Sequence, residues 1–339
     1  IARVHGTSGT TGRPTAFGVS SGDMQRIAAA HARIMWSFGI KPADTVFIAS
    51  FFSLYWGSWG ALAGVERLGA SAFPFGAGVP GQTERALHWI REVRPSVVYG
   101  TPSYSLYLAE QARKSGFDPR KDFNFRILFF SGEPGAGVPA TKKRIEDIYG
   151  GICVDSGSTG EMAPWMSNSE CACRTGMHLW QDIVYAEILD PETFKPVPAG
   201  REGALVYTHL ERESQPMIRF WAGDIARWED SPCPCGRTYP RLPGGIYGRT
   251  DDMLIVRGEN VYPSAIEDCI RSFDALGDEY RIVVQRRNDM DELLIQVEHH
   301  PDCEKSRLSE LQAQLAQAMK TKGLRTTVEI MGPNSFERS

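Results

Sequence analysis

Residues 126–157 read RILFFSGEPGAGVPATKKRIEDIYGGICVDSG. The apolar runs at its two ends, 126–132 and 151–157, have the length and continuity of strands covered on both faces. Between them, residues 139–149 follow a helical pattern. Strand, helix, strand in that order predicts mostly parallel sheet with helices packed on its faces.

The same alternation extends upstream. VFIAS (46–50), ASAFPF (70–75) and SVVYG (96–100) read as further buried strands, with helical stretches at 23–37, 83–93 and 103–115. Downstream, from Val184, the texture changes to strands and turns: VYAEILD, PETFKPVPAG, GALVYTHL and MIRFWAGD, read as antiparallel sheet and a small barrel-like part. After Asp252 comes strand MLIVRG, helix SAIEDCIRSF, strands RIVVQRR and ELLIQVEH, a helix over 305–320 and strand TTVEIM. That β-α-β-β-α-β order predicts a split-βαβ mini-domain. The expected fold is α/β. A large domain over 1–250 has mixed, mostly parallel sheets flanked by helices plus the antiparallel part. A small, mobile α+β domain covers 251–339, with GRTDD (248–252) as linker. No internal repeat is visible.

Composition narrows the function. The 339 residues carry 37 Lys+Arg and 41 Asp+Glu, a net charge of 37 − 41 = −4, and 42% are hydrophobic, enough for a sizeable core. With no basic block and a pI near 6.0, nucleic acid is not an expected partner. The 34 Gly and 21 Pro have no period, which excludes collagen and indicates loops. Seven Cys over this length disfavour a disulfide scaffold and suit a reducing, cytoplasmic setting. The uncharged run over 45–65 is long enough to span a bilayer, but its Ser and Gly content and its break after Ser50 predict a buried strand and helix instead. No signal-peptide h-region is visible, and the chain opens directly on a motif, so a preceding segment is expected to be missing.

That motif is His5-Gly-Thr-Ser-Gly-Thr-Thr-Gly-Arg-Pro-Thr15. Glycines interleaved with hydroxyl residues free backbone N–H groups to face an anion, and Arg13 adds a permanent cation. A P-loop is excluded, because Arg13-Pro14 stands where Lys-Ser/Thr would be needed. The alternative is a flexible Ser/Gly/Thr turn. Elsewhere Cys171, Cys173, His178, Cys233 and Cys235 cluster, and thiolates plus an imidazole suit a structural Zn2+. Cys171, His178, Cys233 and Cys235 are the expected ligands, with Cys173 spare; free thiols are the competing reading. Cys153, Cys269 and Cys303 are expected to be inert.

Ser8-Gly-Thr-Thr-Gly-Arg-Pro14 resembles the signature loop of the adenylate-forming (acyl-CoA synthetase) superfamily. Asp155-Ser-Gly-Ser-Thr-Gly-Glu161, Arg219-Phe-Trp-Ala-Gly-Asp224 and the stretch 248–267 resemble three further superfamily motifs in the same order. The last of these, with Cys-Gly-Arg-Thr at 235–238, is similar to the phenylacetate–CoA ligase family. The resemblance implies ATP-dependent joining of a carboxylic acid to CoA through an acyl-adenylate, releasing AMP and pyrophosphate.

It also implies roles. Ser8, Gly9, Thr10, Thr11, Gly12 and Arg13 would hold the ATP phosphates, and Glu161 the Mg2+ ion. Asp224 and Arg249 would contact ribose, Arg249 also phosphate, and Asp251 would be the hinge. Arg257 and Gly258 would face CoA. The loop Ser131-Gly132-Glu133-Pro134, at the end of a predicted strand, would contact adenine with Asp155 and Ser156. Phe52 and Tyr55 align with the acyl-pocket region, and the uncharged aromatic run there predicts an aromatic acid such as phenylacetate. Glu161 and Arg249 are the expected catalytic residues. The partners are thus ATP, CoA and an aromatic acid, without nucleic acid or membrane, and a homodimer is left open.

Two features depart from the superfamily pattern. The acidic motif has one extra residue and Ser156 or Asp155 at its aromatic position. A C-terminal Gly-Lys is absent, since Lys320 and Lys322 do not match, so either the C-terminal end is missing too or adenylation is impaired. Transfer of the acyl group to a carrier protein, or a non-catalytic nucleotide- and zinc-binding module, are the rival functions.

Overall fold

The computed structural model describes residues 1–7, 15–76, 81–164, 166–252, 254–256, 259–287, 290–324 and 326–336. The chain forms two units: Ile1–Gly137 with Ile145–Ile246, and Val138–Arg144 with Tyr247–Ser339.

The larger unit opens on an antiparallel pair, β1 (Arg3–Gly6) and β2 (Ala16–Val19), closed where Thr7 N donates to Thr15 O at 3.0 Å. Next come α1 (Ser21–Ser37), β3 (Thr45–Ile48), α2 (Trp56–Leu68), β4 (Ser71–Phe73), α3 (Gln82–Val93) and β5 (Val97–Gly100). Then follow α4 (Pro102–Lys114), the short α5 (Pro119–Asp122), β6 (Ile127–Phe130), α6 (Pro139–Tyr149), of which the larger unit holds the part from Ile145, and β7 (Ile152–Gly157). Strands β8 (Asn168–Ser169), β9 (Met177–Leu179), β10 (Val184–Leu189), β11 (Glu202–His209), β12 (Phe220–Arg227) and β13 (Arg241–Leu242) complete it.

Eight of these strands form one sheet in the order β13-β9-β8-β7-β6-β5-β3-β4. Neighbours from β4 to β7 run parallel, while β8, β9 and β13 add on antiparallel. The fully buried runs Val97–Gly100 and Ile127–Phe130 are central strands because alternate side chains feed two cores. Val46, Ile48, Tyr99 and Phe129 pack with Ile34, Met35 and Val65 of α1 and α2 on one face. Phe47, Val98, Leu128 and Phe130 pack with Leu87, Ile90, Leu108 and Ile145 on the other. The run at 45–65 is thus strand plus packed helix as expected, and no helix among the described residues is long and apolar enough to cross a membrane.

α1 begins on a capping box, in which Ser20 and Asp23 satisfy each other's backbone N–H. Strands β10, β11 and β12 pair antiparallel over a third cluster that includes Leu205, Tyr207 and Ala222. PETFKPVPAG, within the stretch read as strands and turns, is mostly turn, with one bridge from Leu189 to Pro196, because Asp190 caps the turn by accepting from the amides of Glu192 and Thr193.

The smaller unit holds β14 (Gly248–Arg249), β15 (Leu254–Val256), β16 (Glu259–Val261), α7 (Pro263–Arg271), β17 (Leu276–Arg287), β18 (Met290–His299), α8 (Leu308–Thr321) and β19 (Thr326–Met331). Strands β17 and β18 pair antiparallel and β18 and β19 parallel, over a core of Ile266, Ile270, Ile295, Leu315 and Val328. The expected split-βαβ order is corrected in its first strand. β15 pairs with β16 in a separate hairpin, Val256 opposite Glu259, so the main sheet has three strands rather than four.

Candidate functional site

Parallel strands β5 and β6 run in register from Val97 opposite Ile127 to Gly100 opposite Phe130, so Thr101 and Ser131 leave the sheet together. The Tyr99 hydroxyl lies 2.9 Å from Ser131 Oγ, and the Tyr55 hydroxyl bonds to the same two groups. Burial pushes both phenols up, Tyr99 most, so this cluster stays protonated near neutral pH. Gly132 follows with φ +91°, a left-handed backbone, and a Cβ there would stand 3.5 Å from the Tyr55 hydroxyl. Phe52 is half-buried and packs edge-on against Trp59 at 5.0 Å.

The other residues expected near adenine are engaged in different ways. Glu133 accepts from the Ser103 amide at 2.6 Å, at the start of α4, and Pro134 opens a 3-10 turn. Ser156 donates to Phe130 O at 3.0 Å and is directed at the sheet. Asp155 is buried, with its amide donating to Glu170 at 2.9 Å. A Cβ on Gly137 or Gly245 would come within 2.7 Å and 3.0 Å of its Oδ2, so the niche around this carboxylate needs both glycines.

Beyond β7, the Ser158 side chain bonds to the Tyr207 phenol, and Thr159 Oγ1 is buried without a hydrogen-bond partner among the described residues. Half-buried Glu161 stands in the turn that follows, and no helix among the described residues starts there. Asp224, buried in β12, lies close to Tyr207 of β11, whose phenol also accepts from Asn168 Nδ2 at 2.5 Å. Sequence reasoning missed Tyr99, Tyr207 and Asn168. The usable signal was a phenol inside an otherwise apolar strand, in SVVYG and again in GALVYTHL.

In the smaller unit, Arg249 Nε and Nη2 grip Asp251 at 2.8 Å and 3.2 Å, and this guanidinium holds the Asp251 carboxyl below its usual range. Ser8, Gly9, Thr10, Thr11, Gly12, Arg13, Arg257 and Gly258 lie outside the described residues.

Cys171, His178, Cys233 and Cys235 come together with their ligand atoms all within 4.8 Å of one another. Cys171 Sγ is 3.8 Å from Cys233 Sγ, and Cys235 Sγ is 3.5 Å from His178 Nε2. Burial, helped by Arg237 and Arg241, lowers the His178 pKa to about 4, leaving the neutral imidazole that a metal needs. Burial raises the Cys171 thiol to about 12. Burial opposes ionisation of Cys233 as well, but the Thr175 hydroxyl and the Cys235 amide outweigh it and hold that thiol at about 7. Cys173 is exposed and stays outside the cluster, and all seven cysteines are free.

The chain matches the AMP-binding enzyme family over residues 2–209 and the AMP-binding enzyme C-terminal domain over 258–339. It is 37% identical to a phenylacetate–coenzyme A ligase of Thermus thermophilus, over 88% of this chain and 66% of that protein. It is 34% identical to the Pseudomonas putida enzyme of the same name, over 100% of this chain and 76% of that one. Among solved structures, a 2-hydroxyisobutyryl-CoA ligase in the postadenylation state superposes with a TM-score of 0.94 at 50% identity, covering 100% of this chain and 72% of that one.

Proposed function

The chain belongs to the AMP-binding enzyme family, in its phenylacetate–CoA ligase branch, and we propose on that premise that it forms an acyl-CoA from a carboxylic acid, ATP and CoA. The acid's carboxylate attacks the α-phosphorus of ATP and pyrophosphate leaves. The CoA thiol then attacks the acyl carbon and AMP leaves. The acid is already a nucleophile, so the protein's task is to orient it and neutralise charge.

In this reading residues 1–250 act as the adenylation domain and 251–339 as the small mobile domain. Ser8–Arg13 hold the outgoing phosphates. Glu161, two residues after the unpartnered Thr159 hydroxyl, is the hard-oxygen group that would hold Mg2+. Asp224 accepts from ribose, Arg249 reaches the nucleotide on leaving Asp251, and Arg257 with Gly258 receives CoA. The observation that carries the proposal is convergence: motif residues from 155–161 and from 224, distant in sequence, meet around Tyr207.

The acid was expected to be aromatic, and the phenylacetate–CoA ligase relatives support that. A second reading, a short 2-hydroxy acid, draws on the Tyr55–Tyr99–Ser131 hydroxyls, which suit a substrate hydroxyl better than a bare ring, and on the 50% identical 2-hydroxyisobutyryl-CoA ligase. Pyrophosphate release with ATP and phenylacetate, 2-hydroxyisobutyrate or isobutyrate separates them. A site built around a hydroxyl rejects the analogue lacking it by orders of magnitude. No release with any acid would remove the enzymatic reading, and discharge only by a phosphopantetheinylated protein would replace CoA with a carrier.

Cys171, His178, Cys233 and Cys235 would hold a structural Zn2+. Bonds of about 2.3 Å to sulfur and about 2.0 Å to nitrogen place tetrahedral corners about 3.5–3.8 Å apart, which matches the 3.8 Å and 3.5 Å separations. Seven free cysteines suit a reducing, cytoplasmic setting.

A further inference from the structure

The connection from β11 to β12 grips the strand that follows the glycine–hydroxyl motif. Gly18, buried in β2 opposite Val4, has both of its backbone groups taken by side chains from that connection. Its N–H donates to Gln215 Oε1 at 2.5 Å, and its C=O accepts from Arg212 Nη2 and from Ser214 Oγ, each at 2.9 Å. Two residues on, the Ser20 amide donates to Ser214 Oγ at 3.1 Å and the Ser20 hydroxyl to Glu213 at 3.2 Å. Arg212 is itself fixed, its Nε donating to Ser214 O at 2.9 Å. The other strand of the hairpin is held as well, where Gly6 N donates to Leu54 O at 3.1 Å.

Within this grip Gln215 is the unexpected residue. Its φ of +47° is left-handed, a conformation in which glutamine is uncommon and glycine is at ease. The residue is exposed, so it adds little to the core. What holds a glutamine in a strained backbone at the surface is what its amide reaches, the N–H of a buried glycine that needs an acceptor.

Resting on the reading of Ser8–Arg13 as the grip on the ATP phosphates, we propose that Gln215 is a positioning residue for that grip. By accepting from Gly18 it fixes the strand onto which the motif returns. The same connection leads into β12, so the phosphate end of the nucleotide and the Asp224 end share one frame. Fixed flanking strands leave less conformational freedom to be lost when the phosphates bind.

The test compares ATP with AMP, which lacks the β- and γ-phosphates, by isothermal titration in the presence of Mg2+. It uses the native protein, Gln215→Gly, Gln215→Met and Arg13→Ala. The native protein should bind ATP more tightly than AMP, and Arg13→Ala should cut that ratio by about tenfold or more, as expected for a lost bond to a charged group. Gln215→Gly suits the left-handed backbone and should keep a near-native urea midpoint, while Gln215→Met keeps the length and loses the acceptor. Each should cut the ratio by about three- to tenfold, the worth of one hydrogen bond, with AMP affinity and KM for the acid unchanged. A merely structural glutamine would weaken ATP and AMP alike, or neither. A ratio lowered in Arg13→Ala but intact in the Gln215 variants would overturn the proposal alone. A native protein that binds ATP no better than AMP, or an Arg13→Ala variant with the native ratio, would take the phosphate-loop reading down with it. If Gln215→Gly does not fold, Gln215→Met decides by itself.

Discussion

Asp23 shows how much one carboxylate can organise. It is buried at the start of α1 and accepts from the Ser20 amide at 3.3 Å, the Glu213 amide at 2.9 Å, the Ser214 amide at 3.0 Å and the Ser214 hydroxyl at 2.5 Å. Burial alone would raise its pKa, but these donors outweigh it and hold the carboxyl far below its usual range. A depressed folded pKa means stability that is present above the unfolded value of about 4 and is lost as pH falls through the folded one. Asp23→Ala should therefore cost about 2–3 kcal/mol in urea at neutral pH, since several buried donors lose their acceptor. The gap to the native protein should narrow steadily below about pH 4, and a gap independent of pH would contradict the assignment. Glu161→Gln belongs to the same scale. Removing one charge from a half-buried turn residue should leave the urea midpoint unchanged while suppressing acyl-adenylate formation by about 100-fold or more. Wild-type pyrophosphate release in that variant would take Glu161 out of the chemistry.

Among the elements, α1 and α2 set the tightest tolerance. A Cβ on Gly64 would lie 2.6 Å from His31 Cβ and 3.1 Å from Met35 Cε. The His31 ring is buried and neutral, its pKa lowered to about 4 by burial, and Nδ1 is 2.9 Å from Gly60 O. Neither backbone can yield without opening the face that packs on β3 and β6, so Gly64→Ala should destabilise by about 1–3 kcal/mol despite its better helix propensity. A stabilised variant in chemical denaturation would show that the helices have room to move. Helices of this kind were legible in advance: α1, α3, α4 and α6 lie within two residues of their expected bounds, and so do the central strands β5, β6 and β7. Long apolar runs and sustained periodicity are local signals. The two- and three-residue strands β8, β9, β13 and β16 were not legible, because their pairing comes from partners distant in sequence rather than from their own pattern. The hydroxyl cluster was hidden for the same reason: Tyr55, Tyr99 and Ser131 meet only once α2, β5 and β6 are packed. The Cys/His set was legible because thiols and imidazole are rare enough to stand out before folding.

For the molecule as a whole, that set matters through where it sits. Cys171 and His178 flank the turn between β8 and β9, while Cys233 and Cys235 lie in the connection from β12 to β13. Both stretches are short of regular structure, and β9 and β13 pair at two positions, Arg241 opposite His178 and Leu242 opposite Met177, with one further bond from Leu179 N to Pro240 O. So small a ladder cannot hold the end of an eight-stranded sheet by its own hydrogen bonds. A metal closing a loop of this length would supply the missing constraint and would act on the larger unit, since the smaller has its own core. Stripping metal with a strong chelator should lower the larger unit's melting midpoint by about 5–10 °C, the shift expected for a few kcal/mol in a unit of this size, and leave the smaller unit's transition in place. Cys233→Ser should reproduce the shift without chelator and lower bound zinc from one equivalent, whereas Cys173→Ser should do neither. The contrast between those two variants is the decisive measurement. Equal behaviour would mean that the cluster is a group of buried thiols, and that the end of the sheet is held by the packing of Met177, Leu179 and Leu242 alone.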